Sequence, residues 1–461
     1  MSKKLKLTFC TGVNTVTGAN YLLEDEEAGL KILVDCGLIQ GERTANEDNN
    51  APFSYDPKTI DVLFVTHAHL DHVGRIPRLI EAGFEGRIIS TIATKDLARF
   101  MVEDEAHILA HNKHIDPELA KELIQIYSEK NIDKMMDLWE GVPYHQPFDL
   151  KGLKINFRNS GHILGSAFIE IICNGKKIVF TGDLGNSPSP ILQDCEKLTD
   201  ADYLIMESVY GDRNHEDRDT RKVMLEHIIQ DNVKKRGTLV MPTFSLERTQ
   251  ELLYEISDLM VKGRIPNFPF YLDSPLAIKL TDVYKKHIDD LNTEASALAK
   301  THKDIFSFPG LKIIGDAEES KNILRMPNPK IIIAGSGMSS GGRVVHHEHN
   351  YLPDPNNTIL LTGYQSVGTL GRHIQDKENS VYINGEQVLV RAKVEMISGY
   401  SGHKDSDALL EFVNGTSETV KQIFTVMGEP SASMFLIQKI RDNLGLSVRQ
   451  PEKGEIVFLE C

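Results

Sequence analysis

The run Thr66-His67-Ala68-His69-Leu70-Asp71-His72-Val73-Gly74 constrains this chain more than any other segment. It places three imidazoles and a carboxylate within the six residues from His67 to His72. It directly follows Asp61-Val62-Leu63-Phe64-Val65-Thr66, an apolar stretch that reads as a buried strand. In extended chain, residues two apart point the same way, so His67 and His69 can share one metal ion. Asp71 and His72 come after the chain turns and can reach a second. Imidazole and carboxylate without thiolate are the donors of a catalytic zinc, which keeps a coordination position open for water. A lone His-x-His is commonly structural. Four donor residues at this spacing, between a strand and Gly74, point to a metal centre.

This His-x-His-x-Asp-His pattern resembles the signature of the metallo-β-lactamase superfamily, and the superfamily's other elements follow in order. Lys31-Ile32-Leu33-Val34-Asp35-Cys36-Gly37 supplies an Asp at the end of an early strand. Ser160-Gly161-His162-Ile163-Leu164-Gly165-Ser166 supplies a later His, and Ile178-Val179-Phe180-Thr181-Gly182-Asp183 a second strand-end Asp. The resemblance implies two zinc sites. His67, His69 and His162 would bind one ion, Asp71 and His72 the other, and Asp183 would bridge them. Asp35 would hold the histidine loop by hydrogen bonds.

A chain of 461 residues fits two or three domains. No apolar stretch approaches the roughly 20 residues of a membrane span, so no membrane partner is expected. Met1 to Phe9 reads as a first strand and not as a signal peptide. The five cysteines, Cys10, Cys36, Cys173, Cys195 and Cys461, are scattered and lack Cys-x-x-Cys spacing. That usage fits reduced thiols and a cytoplasmic location. The net charge of −15 fits poorly with indiscriminate coating of nucleic acid, which depends on Lys and Arg. A site in which the metal itself carries the positive charge is compatible with it.

Residues 1–208 read as strands alternating with helices. A second unit begins near Val209, where the strand patterns Gly237 to Phe244, Phe268 to Pro275, Pro329 to Met338 and Thr358 to Gly363 alternate with helical stretches such as Glu247 to Leu259. Such alternation implies a mostly parallel sheet. With no linker or repeat in view, the second unit reads as an insertion spanning 209–377. Residues 378–461, with a strand pattern at Gln387 to Ile397, would return to complete the first domain.

The insertion resembles the β-CASP branch of the superfamily, which cuts nucleic acids. Leu204-Ile205-Met206-Glu207-Ser208 is similar to its acidic motif, and Ser398-Gly399-Tyr400-Ser401-Gly402-His403-Lys404-Asp405 to its late histidine motif. Leu272-Asp273-Ser274-Pro275 and Gly335-Ser336-Gly337-Met338-Ser339-Ser340-Gly341-Gly342-Arg343 are similar to its substrate-facing loops, and Gly363 to Arg372 to its exit segment. The set is closest to the RNA-processing members, which include the nuclease subunit of the pre-mRNA cleavage complex and its prokaryotic relatives. The fold so implied is α/β: a metallo-β-lactamase αββα sandwich with an inserted β-CASP α/β domain. The activity implied is hydrolysis of single-stranded RNA by hydroxide generated at zinc, leaving a 5′-phosphate and a 3′-hydroxyl. A homodimer is a further family-level implication.

The chemistry accounts for these residue types. The leaving 3′-oxygen needs a proton, for which His403 is the candidate, and a carboxylate such as Glu207 stabilises imidazolium. Asp183 and Asp35 complete the catalytic set. The small residues Ser336, Gly337 and Met338, together with Ser274 and Arg343, are the candidate phosphate contacts, because backbone N–H groups can approach an anion there. His346-His347-Glu348-His349 reads as a polar helix face and not as a metal site, because adjacent histidines on a helix diverge.

One position departs from the family pattern. RNA-acting members carry a further His before a Gly-Glu pair, and this chain has Val426-Met427-Gly428-Glu429. A thioether is a weak zinc ligand. The second metal is therefore expected to bind less tightly or to take a water instead. Met427 also leaves a DNA nuclease of the same fold, or a low-turnover RNA-binding regulator, as alternative readings.

Overall fold

Strand Lys4–Thr11 shows how the first sheet is made. Leu5, Leu7 and Phe9 are buried, while Lys4 lies exposed, the period of two that a half-buried strand requires. The computed structural model of the chain describes residues 3–40, 45–111, 116–215, 218–301, 304–366 and 368–461. They fall into two units: Met1–Ser187, Asp194–Asn214 and His403–Cys461 form one, Pro188–Gln193 and His215–Gly402 the other.

The first unit holds two seven-stranded sheets. One runs in the order Ile456–Glu460, Lys4–Thr11, Asn20–Asp25, Leu30–Val34, Val62–Phe64, Arg87–Thr91, Trp139–Val142. The other runs Val448–Arg449, Gln422–Val426, Tyr203–Glu207, Lys176–Phe180, Ala167–Cys173, Leu153–Asn159, Phe148–Leu150. Their inner faces share one core, with Phe9, Tyr21, Val34 and Phe64 from the first sheet and Phe157, Ile169, Phe180 and Ile205 from the second. Burying each such side chain contributes about 1.5–3 kcal/mol. Along Lys176–Phe180 the side chains divide by turns: Ile178 and Phe180 enter this core, and Val179 enters a second one. In that second core Val179, Leu204 and Ile423 meet Leu409 and Phe412 of helix Ser406–Asn414 and Leu436 and Ile440 of helix Pro430–Leu444. Helix Ile92–His111 packs on Arg87–Thr91 and Trp139–Val142 at the first sheet. The layers are therefore αββα, as the resemblance to the metallo-β-lactamase superfamily implies.

Parallel pairing positions the site. Leu30–Val34 and Val62–Phe64 run parallel, as do Lys176–Phe180, Tyr203–Glu207 and Gln422–Val426. Asp35, His67, Asp183, Glu207 and Met427 all sit at or just beyond the carboxyl ends of these strands, where loops are free to present side chains.

The second unit contains a six-stranded, all-parallel sheet in the order Leu311–Ile313, Phe270–Asp273, Lys330–Ala334, Thr238–Pro242, Thr358–Leu361, Lys393–Met396. The last strand corrects the expected return at 378. Lys393–Met396 pairs with Thr358–Leu361, and Glu386–Leu389 forms a hairpin with Ser380–Ile383, so this unit continues to Gly402. An apolar strand pattern does not say which sheet it joins.

Helix Gly342–Tyr351 overturns a second expectation. Val344, His347, Glu348 and Tyr351 recur at helical spacing and are buried together, so His347 and Glu348 are not part of a solvated face. Burial raises the Glu348 carboxyl to about 8, against the opposing hydrogen bond from Ser339 Oγ at 2.5 Å. A folded-state value above the unfolded 4.5 means the native protein keeps a proton that the unfolded chain releases, so this group's contribution declines as pH rises from 4.5 through 8. Glu348→Gln is neutral throughout and is expected to be more stable than the parent at pH 8, by about 4 kcal/mol, with little difference near pH 4.5. Thermal unfolding of both proteins across this range checks it; midpoints that track in parallel would show Glu348 ionised throughout.

Candidate metal centre

The histidine loop is clamped from below. Ala19 N donates to Asp71 O at 2.9 Å, Cys36 N to His72 O at 2.8 Å and Leu38 N to Leu70 O at 2.9 Å. The approach is so close that a Cβ on Gly37 would lie 1.6 Å from Asp71 O, so only glycine fits there. Asp35, 1% exposed, accepts from Thr66 N at 2.8 Å, Thr66 Oγ1 at 2.9 Å and His72 Nδ1 at 2.7 Å. Engaging Nδ1 leaves the His72 Nε2 lone pair free to point inward. On the hairpin between Leu153–Asn159 and Ala167–Cys173, Ser166 Oγ accepts from His162 N at 2.9 Å and Ile163 N at 3.2 Å, which fixes the His162 loop.

Four donor atoms converge in this way. His69 Nδ1 lies 3.2 Å from both His67 Nε2 and His162 Nε2, and Asp183 Oδ2 lies 3.4 Å from the same two nitrogens. Ligands held at about 2.0–2.1 Å in a tetrahedron are about 3.3 Å apart, so the spacing fits zinc-sized coordination. Beside them, His72 Nε2 lies 3.7 Å from Asp71 Oδ2 and 3.4 Å from Asp183 Oδ1. The two Asp183 oxygens thus face different donor groups. His72 Nε2 and Asp183 Oδ1 are buried with no hydrogen-bond partner among the described residues, a costly arrangement for a site without a cation. The donor set fits a divalent metal.

The electrostatics agree. Burial, reinforced by the neighbouring imidazoles, holds His67 and His69 well below the usual histidine range, so their lone pairs are open. Burial raises Asp71 to about 6. At His72 burial acts downward but is outweighed by Asp183, Asp35 and Asp71, which favour a cation at that point.

A third group adjoins the cluster. Both Glu207 oxygens lie 3.2 Å from His403 Nδ1, and Glu207 Oε1 also accepts from Leu184 N at 2.6 Å. The His403 and His162 rings are 4.6 Å apart. Burial alone would lower His403; Glu207, Asp183 and Asp71 outweigh it and raise it to about 9. Lys404 N donates to Leu184 O at 2.8 Å, which seats the His403 loop beside Asp183.

All the sequence-predicted donors therefore meet in the first unit, with His403 and Glu207. The predicted phosphate contacts lie in the second. Ser274 caps helix Pro275–Lys286 through Ala277 N and lies 3.0 Å from Ser245 Oγ. Ser336 O accepts from Ser339 N at 3.2 Å, and Met338 O from Gly371 N at 3.1 Å. Gly337 packs against Phe244, which a Cβ would meet at 2.6 Å. Arg343 differs from expectation: its guanidinium turns to Asp273 at 2.7 Å and to the carbonyls of Ile314 and Gly315, because the buried Asp273 needs a cation. His347 Nε2 shares Asp273 at 2.7 Å. Sequence reasoning gave no role to Thr66, which opens the histidine run and ties Asp35 to the loop, or to Tyr21, which belongs to no motif.

Three family models match the chain: a metallo-β-lactamase superfamily domain over residues 22–209, a Beta-Casp domain over 249–374 and a Zn-dependent metallo-hydrolase RNA specificity domain over 387–451. Ribonuclease TTHA0252 of Thermus thermophilus is 36% identical over 88% of this chain and 90% of its own length. An RNase J-like protein of Methanocaldococcus jannaschii is 30% identical, covering 93% of this chain and 94% of its own. Transcription termination factor FttA of Methanosarcina mazei is 29% identical over 99% of this chain and 72% of its own. A crystal structure of a protein of unknown function from Enterococcus faecalis shares the fold at a TM-score of 0.58 and 12% identity, over 99% of this chain and all of that one.

Asp35→Ala removes the group that orients His72. It is expected to weaken metal binding about 10–100-fold, the usual loss for such a partner. Metal retained after dialysis against a graded chelator measures this; retention equal to the parent would show that the loop orients His72 without Asp35.

Proposed function

The chain belongs to the β-CASP ribonucleases of the metallo-β-lactamase superfamily, and we propose that it is a zinc-dependent ribonuclease hydrolysing phosphodiester bonds of single-stranded RNA. The observation that carries this reading is His403 held by both Glu207 oxygens directly beside the His and Asp cluster. Small-molecule hydrolysis has no need of such a second proton donor.

We assign one zinc to His67, His69 and His162 and a second to Asp71 and His72, with Asp183 shared between them. Bound zinc supplies activated water at neutral pH and offsets charge on the non-bridging phosphate oxygens. The protein's own residues do the rest. Asp35 and Thr66 fix the histidine loop, and Asp183 spans both donor groups. Glu207 binds Nδ1 of His403, keeps the ring protonated and leaves Nε2–H to face the substrate. His403 then passes that proton to the departing 3′-oxygen, giving 5′-phosphate and 3′-hydroxyl ends. The RNA specificity domain match at 387–451 favours RNA over DNA.

Matched single-stranded RNA and DNA, each labelled at the 5′ end, separate the readings. The expected result is cleavage of RNA that a chelator abolishes. His403→Ala should cut about 10²-fold more slowly while keeping its metal and its RNA affinity. Cleavage by the variant at the parental rate would remove His403 from the mechanism, and preferential cutting of DNA would overturn the ribonuclease reading.

A further inference from the structure

The second metal position is one side-chain ligand short. Asp71, His72 and Asp183 face it, and Met427 stands where the family pattern has a fourth donor. Met427 lies at the end of Gln422–Val426 with its N donating to Gly12 O at 2.9 Å. Its side chain borders a cavity of about 10 Å³, lined also by Tyr21, Asp35, His72 and Gly182. That is about the room of one water molecule.

Tyr21 makes this cavity polar. It belongs to strand Asn20–Asp25, is 4% exposed, and its ring stacks on Phe180 with centroids 6.1 Å apart. Its hydroxyl has no hydrogen-bond partner among the described residues. A buried hydroxyl without a partner costs about 1–3 kcal/mol, so such groups are ordinarily satisfied by protein or by water. Phenylalanine would fill the same space without this cost. Gly12 keeps the hydroxyl and the thioether side by side: a Cβ there would fall 2.8 Å from Tyr21 Oη and 3.1 Å from Met427 Sδ. The Tyr21 hydroxyl, without a partner among the described residues, thus belongs to a cavity that His72 of the second donor group and Met427 also line.

We propose that Tyr21 replaces the missing ligand indirectly: its hydroxyl holds a single water in the cavity beside Met427, and that water completes the coordination of the second metal. The proposal rests on the two-metal reading above. It explains the buried hydroxyl that has no partner among the described residues, and how a chain with Met427 keeps Asp71, His72 and Asp183 poised for an ion. The thioether shapes the space, and the phenol supplies the hydrogen bond.

The test is zinc titration of metal-free protein against a competing chelator, with stoichiometry read by elemental analysis and no RNA present. The parent is expected to bind two ions, one tightly and one less so. Tyr21→Phe keeps the ring and should weaken the second ion alone by about 10–100-fold, the loss typical of an outer-shell partner. Met427→His should tighten the second site and, in the double variant, make it indifferent to Tyr21→Phe. The proposal fails if Tyr21→Phe binds both ions as the parent does, if it weakens both sites equally, or if the parent binds one ion only. A parent that binds two ions and cuts no RNA would instead refute the ribonuclease reading and leave Tyr21 in place.

Discussion

The buried carboxylate of Asp35 is the constraint on which the site depends. It lies just beyond the end of Leu30–Val34, one strand away from the loop that follows Val62–Phe64, and Val34 and Phe64 are in register. A carboxylate in this interior is costly unless donors surround it. Thr66 N, Thr66 Oγ1 and His72 Nδ1 are those donors. The same three bonds that offset burial therefore fix where the histidine loop starts and which nitrogen of His72 faces inward. His67 and His69 inherit their placement from the clamped loop. The fold and the chemistry meet at one side chain.

Much of this was legible in the sequence because metal ligation demands particular residue types at particular places. Donors at the ends of strands, in the order Asp35, His67 to His72, His162, Asp183, Glu207 and His403, left few arrangements open, and the structure gathers all of them into one unit. What was illegible follows from less specific physics. Alternating apolar residues fit any sheet edge, so Lys393–Met396 was expected in the wrong sheet. Polarity did not reveal that His347 and Glu348 are buried, since Asp273 and Ser339 await them from distant segments. Arg343 read as a phosphate contact because the sequence does not show the buried Asp273 that claims it. Tyr21 is an ordinary core aromatic in every respect except that its hydroxyl lacks a partner among the described residues.

The net charge of −15 bears on how an acidic protein can act on RNA. Four carboxylates, Asp35, Asp71, Asp183 and Glu207, crowd the centre, and without cations they would repel a phosphodiester. Three of them have an internal use. Asp35 is taken by Thr66 and His72, Glu207 by His403 and Leu184, and Asp183 is divided between two donor groups. The charge is thus arranged to hold a divalent cation, which would then present positive charge to a phosphodiester. On this view, affinity for RNA at the centre depends on metal as much as turnover does.

The two donor groups are chemically unlike, and the departure at Met427 falls on only one. The first is rich in nitrogen, with His67, His69 and His162, and burial with mutual repulsion keeps the first two neutral. The second is rich in oxygen, with Asp71 and Asp183 flanking a single imidazole. Oxygen donors discriminate less sharply among divalent ions than a set of three imidazoles, so an oxygen-rich position tolerates a water in place of a side chain. Met427 lies at the end of Gln422–Val426, whereas the first donor group is held by the histidine loop and Ser166, and His403 by Glu207 and Leu184. Because separate elements secure these parts, a methionine at residue 427 leaves the nitrogen-rich donor group and the His403–Glu207 pair geometrically intact. On the proposed two-metal reading, that independence makes Met427 an adjustment of the second donor group and not the loss of an enzyme.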